Sequence, residues 1–160
     1  EKNQLRGDAV VNQCDARHMT IENESVDAII TSPPYLNNID YTKLYAIEEF
    51  FMEARKMPML RSYMGMREQV EKKETYFEDM EEVLREMHRV LKSGGKAAII
   101  LGNAYIKGEE IESDFITAWI ADKTGFEVEK ILVLNKRFAL ENRTEKKGVL
   151  RESLIILKKK

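Results

Sequence analysis

A single cysteine, Cys14, among 160 residues excludes an internal disulfide and fits a reducing, cytoplasmic setting. No apolar run approaches the roughly 20 residues that span a bilayer. An N-terminal signal pattern is likewise missing, so no membrane association is expected. The chain has only two histidines, His18 and His88. The sequence holds no Cys/His cluster, so no metal site is expected, and no nucleophile–base arrangement is visible. Excess positive charge is lacking too: 26 Lys and Arg against 28 Asp and Glu leave a net charge of -2. That argues against tight, purely electrostatic binding of nucleic acid, although a local cluster such as Lys136, Arg137, Arg143, Lys146 and Lys147 escapes the tally. Interspersed Glu141 and Glu145 fit a solvated loop there equally well. Glycine is sparse, with eight residues, of which only Gly94 and Gly95 are neighbours.

What is present reads as one α/β domain over 1–160. A hydrophobic share of 43% with 34% charged residues suits an ordinary globular chain of a size that buries a real core. Short apolar runs alternate with longer amphipathic ones, the pattern of βα units around a largely parallel sheet. Residues 9–14 and 26–31 read as strands. Leu44, Ile47, Phe50 and Phe51 predict a helix over about 41–55. The stretch 56–73, with Pro58, Gly65 and several methionines, reads as a lid or insertion beside the site, or as an excursion without a role. Tyr76, Met80, Val83, Leu84, Met87, Val90 and Leu91 recur at intervals of three and four, predicting a helix over 76–91. Thr75 with Glu78 forms a candidate capping box and Gly94-Gly95 the stop. His88, inside that helix, reads as structural. A strand over 97–101 follows. Phe115, Ile116, Trp119 and Ile120 mark another helix with Trp119 in the core. Strands over 126–134 and 153–157 are joined by a polar, hairpin-like connection over 135–149.

The strongest chemical signal is Thr31-Ser32-Pro33-Pro34-Tyr35, directly after the apolar run Val26-Asp27-Ala28-Ile29-Ile30. Two prolines in a row cannot extend a ladder or enter a helix interior, since both lack an N–H and have fixed φ. A strand ending on a polar residue, a stiff Pro-Pro step and an aromatic ring makes a rigid platform at its C-terminal end, where open α/β sheets bind ligands. The segment resembles the catalytic motif of S-adenosylmethionine-dependent amino-methyltransferases, which carry Asp, Asn or Ser, then Pro-Pro, then an aromatic residue. Its continuation Leu36-Asn37-Asn38-Ile39-Asp40-Tyr41 is similar to a branch of site-specific DNA methyltransferases. Asp15-Ala16-Arg17 stands where the family places the acidic residue that meets the cofactor's adenine. Arg89 to Lys96 resembles the family's helix-to-strand turn, with Ser93 where proline is commoner, and Gly125-Phe126 before a strand also fits. The resemblance spans nearly the whole chain, but only the Pro-Pro segment is specific.

It implies a Rossmann-like class I methyltransferase fold, a mostly parallel sheet with helices on both faces. It also implies methyl transfer from S-adenosylmethionine to an exocyclic amino nitrogen of a DNA base flipped from the duplex, as in restriction-modification. Such an amine is a poor nucleophile because its lone pair is delocalised into the ring. Acceptors opposite both N–H bonds free that lone pair and stabilise the developing positive charge; Ser32 Oγ and the Pro33 carbonyl can supply them. Pro33 and Pro34 hold the geometry fixed, and Tyr35 can stack on the extruded base. Asp15, Ala16, Thr31 and Ser32 are the cofactor candidates, and Tyr35, Asn37, Asn38 and Asp40 the substrate candidates. Asp15 fits a helix cap or a solvated strand end equally well, and Asn37, Asn38 and Asp40 are also ordinary loop formers. Asn103 either lines the pocket or is structural. Ser at position 32 slightly favours cytosine N4 over adenine N6.

This class also needs a glycine-rich turn after its first strand, and Gly94-Gly95 ends a helix instead. The first identifiable strand resembles the family's third. The expectation is therefore the catalytic and substrate half of a methyltransferase domain, incomplete at the N-terminus. An upstream part of the same polypeptide or a partner chain would supply the cofactor turn, and a truncated sheet edge would favour self-association. Two other readings stay open: an enzyme acting on guanine N2 in RNA or another amino nitrogen, and a non-catalytic scaffold retaining the fold.

Overall fold

The computed structural model describes residues 7–36, 72–106, 108–141 and 145–160. Its centre is a four-stranded sheet of β1 (Val26–Thr31), β2 (Leu91–Gly102), β6 (Glu145–Lys159) and β5 (Phe126–Glu141) in that spatial order. β1 runs parallel to β2, with Thr31 opposite Ile99. β6 is antiparallel to both β2 and β5. Two helices, α1 (Lys72–Val90) and α2 (Ser113–Lys123), pack against each other and against β2. A short antiparallel ribbon, β3 (Ala104–Ile106) with β4 (Glu109–Ile111), joins β2 to α2.

The helical stripe on α1 does what its spacing predicts. Tyr76, Met80, Leu84, Met87 and Val90 are all buried, against a core that includes Leu91, Ile99, Leu101, Phe126, Ile155 and Leu157. The helix begins at Lys72, so Thr75 lies inside it rather than at its cap. It stops one residue earlier than expected, because Leu91 already pairs with Val26 of β1. The next pairing is Ala28 with Lys96, so the chain from 92 to 95 loops out of the ladder, with Gly94 at φ +74°. At Gly95 a Cβ would stand 2.9 Å from the Lys92 carbonyl oxygen and 3.1 Å from that of Asp27, so only glycine lets β1 and β2 close up here. The last carbonyls of α1 are satisfied from the turn before β1: Glu24 N–H donates to Arg89 O and Ser25 N–H to Val90 O, each at 3.0 Å. The Arg89 guanidinium reaches back to the Met19 carbonyl at 2.9 Å and the Ile21 carbonyl at 2.8 Å. Glu86, held by Arg89, accepts from Met19 N–H at 2.9 Å. The chain entering β1 is thus laced to α1.

Three further expectations are corrected. Residues 9–14 form no strand and are mostly exposed, Val10 and Val11 at 82% and 94%. An apolar run makes a strand only where a ladder partner exists, and among the described residues β1 ends the sheet with Ile30 84% exposed. The stretch 135–149 is mostly strand, because β5 and β6 are long and pair from Phe126–Lys159 out to Glu141–Glu145. Trp119 is 63% exposed instead of buried. α2 buries Ser113, Asp114, Thr117, Ala118, Ile120 and Ala121, a face that brings Asp114 to Arg151 of β6 at 2.7 Å. That face leaves Phe115 and Trp119 pointing outward. Arg151 lies over the Phe115 ring and Lys123 over the Trp119 ring, 4.8 and 5.7 Å from the centroids, partly covering both. The described sheet is mixed, with one parallel and two antiparallel pairings. No helix among the described residues is long and apolar enough to cross a membrane.

Gly95→Ala is expected to lower stability by roughly 1–3 kcal/mol through forced backbone displacement. Urea unfolding with an unchanged midpoint would contradict the close approach at this turn.

Candidate active site

β1 and β2 are parallel, so their C-terminal ends meet at one edge of the sheet. Ser32-Pro33-Pro34-Tyr35 leaves β1 there, beside Gly102 at the end of β2. Ser32 is exposed, Pro33, Pro34 and Tyr35 are half-buried, and Leu36 is buried in the core. With no proline N–H to donate to the ladder, this segment is held by fewer backbone bonds, and side chains from other elements add to its orientation.

Two tyrosine hydroxyls carry these bonds. Tyr76 on α1, 1% exposed, donates to the Pro34 carbonyl at 2.9 Å. Burial pushes its phenol well above the usual range, so it remains a donor at any physiological pH. The Tyr35 hydroxyl donates to Glu152 Oε1 on β6 at 2.7 Å. The Tyr35 ring lies against the backbone of Gly102, where a Cβ would come within 3.2 and 3.3 Å of ring carbons.

Asp15 occupies a turn with Arg17 and is 19% exposed. Arg17 donates to Asp15 through its backbone N–H at 2.9 Å and through its guanidinium at 2.7 Å. It also reaches Asp79 of α1, which is buried, at 2.9 Å. The side-chain bonds from Arg17 hold the Asp15 carboxyl down at about 2, against burial, which alone would raise it. Tyr76 and Asp79 are three residues apart and share a helix face. One face of α1 therefore holds both the Pro-Pro platform, through Tyr76, and the Asp15 turn, through Arg17. Ala16 is exposed, and Thr31 is the half-buried last residue of β1.

Asn103 is structural. It is 5% exposed, donates to Glu110 at 2.6 Å and to the Val149 carbonyl at 2.9 Å, and accepts from Arg151 N–H at 2.6 Å. His88 is structural as well, edge-on to Phe126 at 5.2 Å. Its pKa is lowered, chiefly by burial. Lys136 and Arg137 are adjacent on β5, so they point to opposite faces and form no single patch. Asn37, Asn38 and Asp40, the helix over 41–55 and the stretch 56–71 lie outside the described residues, as does Arg143. Sequence reasoning did not find Tyr76, Gly102 or Glu152 as site residues. A lone hydroxyl in the apolar stripe of α1 was the one available signal for Tyr76, whereas Glu152 is 117 positions from its partner and carries none.

The profile of a family described as DNA methylase, of the N6/N4 type, matches residues 26–160. A type II methyltransferase, M.AvaI, from Nostoc sp. (strain PCC 7120) is 31% identical over 160 residues, covering 71% of this chain and 33% of the relative. M.BsoBI, a type II methyltransferase from Geobacillus stearothermophilus, is 26% identical over 175 residues, covering 73% of this chain and 34% of its own length. The chain thus spans about a third of the curated relatives it matches. Among solved structures, one called a DNA modification methylase from Thermus thermophilus superposes with a TM-score of 0.57 at 18% identity, covering 91% of this chain and 52% of that one. The same protein complexed with S-adenosyl-L-methionine gives a TM-score of 0.55 at 19% identity, covering 91% of this chain and 53% of that one. This likeness identifies the Rossmann-like class I methyltransferase fold.

Nuclear magnetic resonance titration should place Asp15 at about 2, and Arg17→Gln should return it toward the ordinary aspartate value of 3.8. Since the folded value is depressed, the pair's stabilisation is complete above the unfolded value and disappears as pH falls through the folded one. The variant should lose that acid-side dependence of stability, and an unchanged acid limb would rule out the pairing.

Proposed function

This chain belongs to the DNA methylase family, and from that premise we propose that the protein transfers a methyl group from S-adenosylmethionine to an exocyclic amino nitrogen of a DNA base, with cytosine N4 favoured over adenine N6. The observation that carries the reading is the platform at the carboxyl end of β1. Ser32 is exposed there, the Pro34 carbonyl is tied to Tyr76, and the Tyr35 ring is held by Glu152. The exposed Ser32 hydroxyl and the Pro33 carbonyl accept the two amine N–H bonds, freeing the nitrogen lone pair and stabilising the charge that develops on it. The Pro-Pro step and the Tyr76 bond fix those acceptors before substrate arrives, so little reorganisation is needed during the reaction. Tyr35 stacks on the extruded base. Asn37, Asn38 and Asp40 follow directly in sequence and are proposed to meet the target or its flanking nucleotides.

Asp15, Ala16, Thr31 and Ser32 are proposed to meet the cofactor, and the residues present are compatible with it. Arg17 fills most of the roughly four acceptor positions of the Asp15 carboxylate, through its backbone N–H, Nε and Nη2. Room remains for one adenine amino N–H. When bound, S-adenosylmethionine would supply an electrophilic methyl carbon to the amine, with its sulfur as the leaving group and water taking the amine proton. No glycine-rich turn follows a strand among the described residues. We place that turn in another part of the protein or in a partner chain, against the edge of β1, which among the described residues ends the sheet and where Ile30 is 84% exposed.

Methyl incorporation by the full-length protein into DNA and into RNA, followed by nucleoside analysis, tests the proposal. Label in N4-methylcytosine or N6-methyladenine of DNA is expected. The Ser32→Ala, Tyr35→Ala double variant should lose at least about a hundredfold in rate. Label confined to RNA, or full activity in the double variant, would overturn it.

A further inference from the structure

We infer that Gly102 and Glu152 form a seat for Tyr35, which makes Glu152 a positioning residue for the ring that receives the target base; this rests on the role proposed for Tyr35. Gly102 and Glu152 are direct cross-strand partners in the antiparallel pairing of β2 and β6. Opposite residues in such a ladder present their side chains on the same face. The absent side chain of one and the carboxylate of the other therefore address the same space, and Tyr35 occupies it. The ring rests on Gly102, where a Cβ would stand 3.2 Å from a ring carbon and 3.1 Å from the Arg151 carbonyl oxygen of β6. Its hydroxyl is held by Glu152 at 2.7 Å.

The seat is itself anchored. Arg151 and Ser153, the neighbours of Glu152, both bond the buried carboxylate of Asp114 on α2, at 2.7 Å each. Burial would raise the Asp114 pKa, but these bonds prevail and hold it below the usual carboxylate range. Side chains alternate along a strand. With Arg151 and Ser153 committed to α2, β6 presents Glu152 on the opposite face, toward Tyr35. Ser113 Oγ donates to the Gly102 carbonyl at 2.7 Å, so the start of α2 fixes the second half of the seat.

Stacking alone does not need a phenol, since a phenylalanine ring offers the same π face. The hydroxyl's contribution is angular: the bond from Oη to Glu152 fixes the direction of the ring's long axis, and the contact of the ring edge with Gly102 limits its rotation about that axis, so the two together set its plane. A base that must arrive in one plane for its amine to meet Ser32 and the Pro33 carbonyl gains from that restriction.

The test uses the full-length protein acting on DNA. Tyr35→Phe and Glu152→Ala should each lower kcat about tenfold and raise KM for DNA, leaving KM for S-adenosylmethionine unchanged. The double variant should be no worse than either single one, because both remove the same bond. Glu152→Gln, which keeps an acceptor oxygen, should recover most of the rate. Multiplying losses in the double variant, or a Tyr35→Phe enzyme with wild-type kinetics, would overturn the seat. That second measurement still decides if Glu152→Ala does not fold. Tyr35→Ala separates the two levels: a dead enzyme alongside a normal Glu152→Ala rejects only the seat, whereas a fully active one rejects the stacking role itself.

Discussion

Two consecutive prolines after β1 leave the chain there without ladder donors, and the architecture around the site answers that constraint. Their carbonyls still accept, but neither proline can donate to a neighbouring strand. Tyr76 on α1 takes the Pro34 carbonyl and Glu152 on β6 takes the Tyr35 hydroxyl. The platform is therefore stiff along the backbone because of proline, and stiff in orientation because of two elements remote in sequence. Both supports stand in well-packed surroundings. Tyr76 is buried in the core, and β6 lies between β2 and β5 with Ser153, Ile155 and Leu157 buried.

Two arginine bridges set the remaining geometry. Arg17 joins the Asp15 turn to the buried Asp79 of α1, and Arg151 joins β6 to the buried Asp114 of α2. A buried carboxylate is tolerable only with such a partner, and removing one side of the pair leaves an uncompensated charge. Each bridge thus selects a packing arrangement more than it adds net stability. The second comes with a buried face of α2 that brings Asp114 to Arg151 and leaves Phe115 and Trp119 toward solvent.

The legible parts of the fold were those in which one element carries its own signal. The stripe from Tyr76 to Val90, a glycine turn at 94–95 and the apolar strand before Ser32 could all be read because period, glycine and proline act locally, although α1 already ends at Val90 where Leu91 joins β1. Errors arose where a distant partner decides. Residues 9–14 are apolar enough for a strand but have no described ladder partner. Trp119 is exposed on α2, whose buried face brings Asp114 to Arg151. The polar stretch 135–149 becomes strand because each half finds the other in register.

The chain's own letters determined the chemistry on offer: a hydroxyl, a rigid Pro-Pro step and an aromatic ring at a strand end, in an order that proline geometry makes stiff wherever it occurs. They also determined the α1 stripe and the turn at Gly94. Only the tertiary structure decided how the ring is aimed. Gly102 and Glu152 become cross-strand neighbours through the register of two strands far apart in the chain, and Tyr76 meets Pro34 across 42 positions. Such pairings have no local period, because they are consequences of how the elements pack.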